Sequence, residues 1–123
     1  MLRRFISTVG LIALLVVFTA STVQAATINV ATGMVVVAAD GQCSLIEAVV
    51  NANTDAATHA DCPAGSGADT ISLANGSTYT LAAVDNTVGS LGGNGLPAIT
   101  SSITINGNGA TITRGNGAPN FRI

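Results

Sequence analysis

The N-terminal residues form a basic, then apolar, then small-residue pattern. Arg3–Arg4 is followed by an uncharged, mostly apolar run from residue 5 to residue 20, and small residues then lead to Val23 and Ala25. This order is typical of a secretory signal peptide. The alternative, an uncleaved membrane anchor, needs an apolar run of about 20 residues. We predict cleavage after Ala25 and a secreted or cell-surface protein with no membrane span once the leader is removed.

Between residues 44 and 53 the apolar positions follow the period of an α-helix. They recur at i, i+3, i+4 and i+7, which places them along one side of a helix. Ser44, followed three positions later by Glu47, matches the capping box that begins many helices. A helix this short is not stable by itself, so we expect its apolar side to pack on the core. The apolar positions are Leu45, Ala48, Val49 and Ala52.

Elsewhere the pattern is one of short β-branched runs separated by Asn-Gly corners. Asn and Gly tolerate positive φ, so these dipeptides predict tight turns. Short strands at this spacing fit either a small antiparallel sheet or a coil of parallel strands, and the four-residue turn at 106–109 by itself favours a hairpin. The predicted strands are Thr27–Val30, Met34–Val37, Asp69–Leu73, Thr78–Leu81, Ser102–Ile105 and Ala110–Thr113.

Charge is scarce in this chain, since only 8% of its residues are charged. Without the leader, two arginines, Arg114 and Arg122, face six acidic residues, and there is no lysine. Such a chain cannot neutralise a phosphate backbone, which excludes nucleic acid as a partner. It is also not attracted electrostatically to anionic membrane surfaces.

Cys43 and Cys62 are the only two cysteines. An even number of cysteines in an exported chain favours a disulfide. Two alternatives are free thiols and a metal site, but with His59 as the single histidine a zinc site is one ligand short. We therefore predict a Cys43–Cys62 disulfide and no bound metal.

The residue types needed for catalysis are sparse. A glycosidase needs two carboxylates about 5–10 Å apart, yet Glu47 is assigned to helix capping. A lyase needs a basic residue near the sugar, and Arg114 and Arg122 are the only basic residues after the leader. We predict no catalytic residue and no cofactor-binding residue in this chain.

The hexapeptide Cys43–Ala48 resembles the CSLREA signature found near the N-terminus of many exported bacterial proteins. Later segments resemble the same proteins and extend the likeness over nearly all of the chain after the leader. Ile46 stands where the family has Arg, so any role of that arginine is absent here. The later segments are 67–73, 76–81, 94–99 and 103–112.

The resemblance implies a mainly β fold, the start of a right-handed parallel β-helix of the pectin-lyase-like type. Residues 26–67 would form an N-terminal cap, with short strands, the helix and the disulfide loop. Residues 68–123 would form the first, incomplete coils. The apolar side of the helix would then cover the open end of the β-helix, because exposed strand ends need covering. Since family members continue for more coils, we expect a truncated chain.

Three functions follow from this resemblance. The first is a secreted or cell-surface segment with a structural or adhesive role and no catalytic site. The second is the N-terminal fragment of a carbohydrate-active enzyme, a polysaccharide lyase or glycosidase, whose catalytic coils lie beyond residue 123. The third is a nonfunctional truncation. The partners expected for the first are a glycan or another surface protein.

Overall fold

The computed structural model describes residues 24–123, so the predicted leader lies almost wholly outside the described residues. Within them the chain forms one α-helix and seven short strands. No helix in this range has both the length and the apolar character needed to cross a bilayer. The elements are β1 (Thr27–Asn29), α1 (Leu45–Thr54), β2 (Asp69–Ser72), β3 (Thr78–Leu81), β4 (Asn86–Thr87), a 3-10 turn (Gly89–Leu91), β5 (Gly93–Asn94), β6 (Ile103–Asn106) and β7 (Thr111–Arg114).

The strands are divided among three small sheets. β2 lies between β1 and β6 in a parallel three-stranded sheet, and β3 pairs with β7 in a parallel two-stranded sheet. β4 and β5 pair antiparallel. In the three-stranded sheet Ile28, Ile71 and Ile105 are aligned in register. These residues form one row, called here the isoleucine row, on the side of the sheet that faces the core.

The prediction of a right-handed parallel β-helix is wrong. The described residues form a small mixed α/β domain, with short strands in separate parallel and antiparallel sheets and one packed helix. Residues 86–94 supply the antiparallel pair, because the 3-10 turn sends the chain back beside β4. Tight Asn-Gly corners specify where strands end, but they do not specify how the strands assemble.

One predicted strand is also wrong. Residues 34–37 form no strand. They lie in the loop before α1, where the Met34 carbonyl accepts a hydrogen bond from the Leu45 N–H at 2.9 Å. The hairpin favoured by the pattern is also absent, since β6 and β7 belong to different sheets. Asn108 and Gly109, at φ of 46° and 71°, turn the chain from one sheet to the other.

The core lies between α1 and the parallel strands. Ile28 and Ile71 are fully buried beside the apolar side of α1, and Tyr79 of β3 joins the same cluster. The Tyr79 hydroxyl accepts a hydrogen bond from the Ala74 N–H at 2.9 Å, which satisfies its polar end in the interior. The helix therefore packs on the sheet as an integral part of the core.

Candidate functional site

A disulfide joins the start of α1 to the loop that follows it. Cys43 and Cys62 are bonded, both are buried, and their Cα atoms are 4.6 Å apart. This confirms the predicted disulfide. A bond of this kind is consistent with a protein that lies outside the reducing cytoplasm.

The first turn of α1 is closed by reciprocal hydrogen bonds. Ser44 is the N-cap, and its Oγ accepts from the Glu47 N–H at 3.3 Å. Glu47 Oε2 accepts from the Ser44 N–H at 2.9 Å, and Oε1 accepts from the Ala38 N–H at 3.0 Å. The buried Glu47 carboxylate thus satisfies donors from both the helix and the preceding loop.

Removing the N-cap hydroxyl tests this arrangement. We expect Ser44→Ala to lower the free energy of unfolding by about 1 kcal/mol, because the Glu47 N–H loses its acceptor in a buried position. Thermal unfolding followed by circular dichroism measures the change. Ser102→Ala, an exposed serine outside the helix, is the matched control and should leave the midpoint unchanged. Equal midpoints for both variants would contradict the capping assignment.

The apolar stripe predicted on α1 faces the interior. Its four members are at most 1% exposed and belong to the core cluster with Ile28 and Ile71. The role assigned to them, covering the end of a β-helix, does not apply because no β-helix is present. They pack instead on β1 and β2. The stripe residues are Leu45, Ala48, Val49 and Ala52.

Ile46 lies on another side of the helix. It is half-buried and lines an apolar groove of about 340 Å³ together with Val36, Leu81 and Val84. An arginine at this position would place its charge in a groove lined mostly by apolar side chains, with Asp85 as its one carboxylate. The groove suits the isoleucine found here.

Asn51 is a structural residue that the sequence analysis missed. Its side chain is fully buried, and its Nδ2 donates to the carbonyl groups of His59, Cys62 and Pro63 at 2.9, 3.2 and 3.1 Å. Its Oδ1 accepts from the His59 N–H at 2.8 Å. One amide therefore bonds residues 59–63 to the helix, beside the disulfide. Asn51 falls three positions after Ala48 of the apolar stripe, but nothing in the sequence indicates that its side chain is buried.

A cleft of about 450 Å³ beside the disulfide loop contains the titratable residues Glu47, His59 and Asp61. Both oxygens of Glu47 accept backbone hydrogen bonds. Asp61 Oδ2 accepts from the Asp40 and Gly41 N–H groups at 2.8 and 3.0 Å. Within residues 24–123 no three His, Cys, Asp or Glu side chains come together as a metal site requires. The carboxylates of this cleft hold the backbone of the surrounding loops.

The two arginines after the leader lie in one shallow cleft near the C-terminal residues. Arg114 donates from Nη1 to Asn120 Oδ1 at 2.8 Å, and its guanidinium carbon is 6.0 Å from the centre of the Phe121 ring. Arg122 donates from Nε to Asn94 Oδ1 at 3.2 Å. The cleft concentrates the positive charge of an otherwise acidic domain.

The isoleucine row ends at an open strand edge. β6 pairs with β2 on one side, and among residues 24–123 no strand pairs with its other side. Ile28 and Ile71 are 0% exposed, whereas Ile105, in register with them, is 44% exposed. A groove of about 300 Å³ without charged side chains borders this edge. Its lining includes Leu96, Pro97, Ala98, Ile99, Ile105 and Ile123.

No protein-family model, curated protein or solved structure matches this chain.

Proposed function

We propose that this protein is an exported domain with a structural or adhesive role, and that it binds another polypeptide through the open edge of β6. The observation that carries the proposal is the third member of the isoleucine row. Ile105 continues a buried apolar row, yet nearly half of its surface is exposed. An apolar, unprotected strand edge is a template for pairing with a further strand.

The side chains at the β6 edge indicate which kind of segment would bind there. β6 has the sequence Ile-Thr-Ile-Asn, with no charged residue and no proline to discourage pairing. The adjoining groove adds the exposed side chains of Ile99 and Ile123. The expected partner is therefore an extended segment with β-branched residues, one of which would cover Ile105.

The exported state is supported by two features. The N-terminal pattern is typical of a secretory leader, and the buried Cys43–Cys62 disulfide is typical of proteins outside the cytoplasm. Export is tested by the mass of the protein recovered outside the cytoplasm, measured before and after reduction and alkylation. A chain that begins at Ala26 and carries one disulfide is the expected product. A cytoplasmic, full-length product would contradict export.

Binding at the edge is tested with a labelled synthetic peptide of residues 101–107, which serves as a model strand. We expect saturable binding, measured by fluorescence anisotropy, and a loss of affinity of about tenfold or more in Ile105→Lys, because the charge prevents apolar burial. Thr104→Lys is the matched control, since Thr104 is exposed and alternates to the opposite side of β6.

Three outcomes would contradict this assignment. The first is no binding of the peptide. The second is equal weakening by Ile105→Lys and Thr104→Lys. The third is binding of polygalacturonate that is lost in Arg114→Gln, which would assign the adhesive role to the arginine cleft instead. Thermal unfolding of each variant verifies that the fold is retained.

A further inference from the structure

The residue that follows the predicted cleavage site is held in place by β2. The Ala26 carbonyl accepts a hydrogen bond from the Thr70 N–H at 2.9 Å, and the Ala26 nitrogen donates to Asp69 Oδ1 at 2.9 Å. Ala26 directly precedes β1, which pairs with β2 in register. The position of the Ala26 nitrogen is therefore set by the sheet and by Asp69.

Asp69 is a buried carboxylate, only 1% exposed. Besides Ala26, it accepts hydrogen bonds from the Ser66 N–H, at 2.9 Å to Oδ1 and 3.0 Å to Oδ2. Gly65 also packs against it, since a Cβ at that position would lie 2.7 Å from Oδ2. The surrounding backbone thus encloses the carboxylate, and all its observed donors are backbone N–H groups.

No arginine or lysine compensates this buried charge within residues 24–123. The two arginines of this range, Arg114 and Arg122, bond to Asn120 and Asn94. A buried carboxylate without a cation is costly, because its desolvation is repaid only by an opposite charge or by several hydrogen bonds. The neutral Ala26 N–H supplies one hydrogen bond and no charge.

We propose that the Asp69 carboxylate binds the new N-terminal amine that leader removal creates. Hydrolysis of the Ala25–Ala26 peptide bond by a signal peptidase consumes one water and releases the Ala25 carboxylate with the leader. The freed Ala26 amine takes up a proton, because an α-amine has a pKa of about 7.7–8.0. The resulting ammonium lies at the position of the present N–H, within hydrogen-bond distance of Asp69 Oδ1.

This inference rests on cleavage after Ala25, but it adds a consequence that export alone does not imply. Processing replaces the neutral donor by a charged one, and the hydrogen bond to the Asp69 carboxylate becomes an ion pair that joins the start of β1 to the start of β2. An opposite charge repays part of the desolvation cost of a buried carboxylate. The processed chain should therefore be more stable than an otherwise identical chain whose Ala26 nitrogen is uncharged.

The decisive comparison is between two forms of chain 26–123, one with a free Ala26 amine and one with Nα-acetyl-Ala26. The acetylated form keeps the N–H donor and removes only the charge. We expect the free amine to raise the midpoint of thermal unfolding by about 4–8 °C. In Asp69→Asn the two forms should have equal midpoints, whereas in Asp85→Asn, an exposed control, the difference should persist.

A second measurement does not depend on the stability of Asp69→Asn. Because the chain has no lysine, the α-amine is the only primary amine of residues 26–123. Reductive methylation at neutral pH should be about tenfold slower for the native protein than for the same chain in denaturant, because an ammonium held by Asp69 does not react.

Equal methylation rates in the native and denatured chain, or equal midpoints with and without acetylation, would overturn the proposal. So would an N-terminus other than Ala26 in the exported protein. These results are separate from the peptide-binding test of the β6 edge, which could succeed while this proposal fails.

Discussion

Removing the disulfide, by Cys43→Ala together with Cys62→Ala, is expected to lower the free energy of unfolding by about 3 kcal/mol. The bond closes a loop with a sequence separation of 19, and in the chain-entropy model a loop of this length accounts for a change of that size. Denaturant titration followed by circular dichroism measures the shift in midpoint.

The effect is large relative to the whole stability of a domain of this size. Small domains have a free energy of unfolding of about 5–15 kcal/mol, so a loss of about 3 kcal/mol removes between about a fifth and more than half of it. Wild-type protein treated with a reductant is the control, because it keeps both side chains and lacks only the bond. A reduced protein as stable as the oxidised one would show that the loop is held by its other contacts alone.

Short-range patterns in the sequence were sufficient to predict the helix and five of the seven strands, although they also predicted a strand at 34–37 that is absent and missed β4 and β5. Ser44 and Glu47 are three residues apart, and both hydrogen bonds of the capping box lie within that span. The strand at 78–81 coincides with the observed β3. These features depend on neighbours along the chain, which the sequence shows directly.

Features that depend on distant partners were not predictable in the same way. The pairing of β2 with β6 joins residues more than 30 positions apart, and nothing in either segment specifies the number of strands in the sheet. The short antiparallel pair at 86–94 was also not predictable from the sequence, because its register follows from the geometry of the 3-10 turn. The resemblance to a β-helix family supplied an assembly that these residues do not adopt.

Asn51 illustrates why part of the site escaped the sequence analysis. An asparagine near the end of a helix is ordinarily a sign of helix termination. The residue type does not indicate that the side chain is buried. Its real role depends on the disulfide loop returning to the helix, which brings the His59, Cys62 and Pro63 carbonyls to one amide. Only the folded arrangement identifies it as the link between the helix and the loop.

We therefore expect Asn51→Asp to destabilise the protein by about 3–4 kcal/mol. The substitution keeps the size of the side chain but removes the Nδ2 donor, and it places a carboxylate oxygen against the carbonyl groups of His59, Cys62 and Pro63 in a buried position. Denaturant titration of the oxidised protein measures the loss. Amide hydrogen exchange at His59 reports the loop separately from global unfolding.

Asn53→Asp is the matched control on the same helix. Asn53 is half-buried, donates to the Ala98 carbonyl at 2.8 Å and accepts from the Thr100 N–H at 2.8 Å. Because water can replace the lost bond there, we expect a cost of about 1 kcal/mol. If the two variants were equally stable, the buried amide would not be what holds the loop, and the disulfide would have to position residues 59–63 by itself.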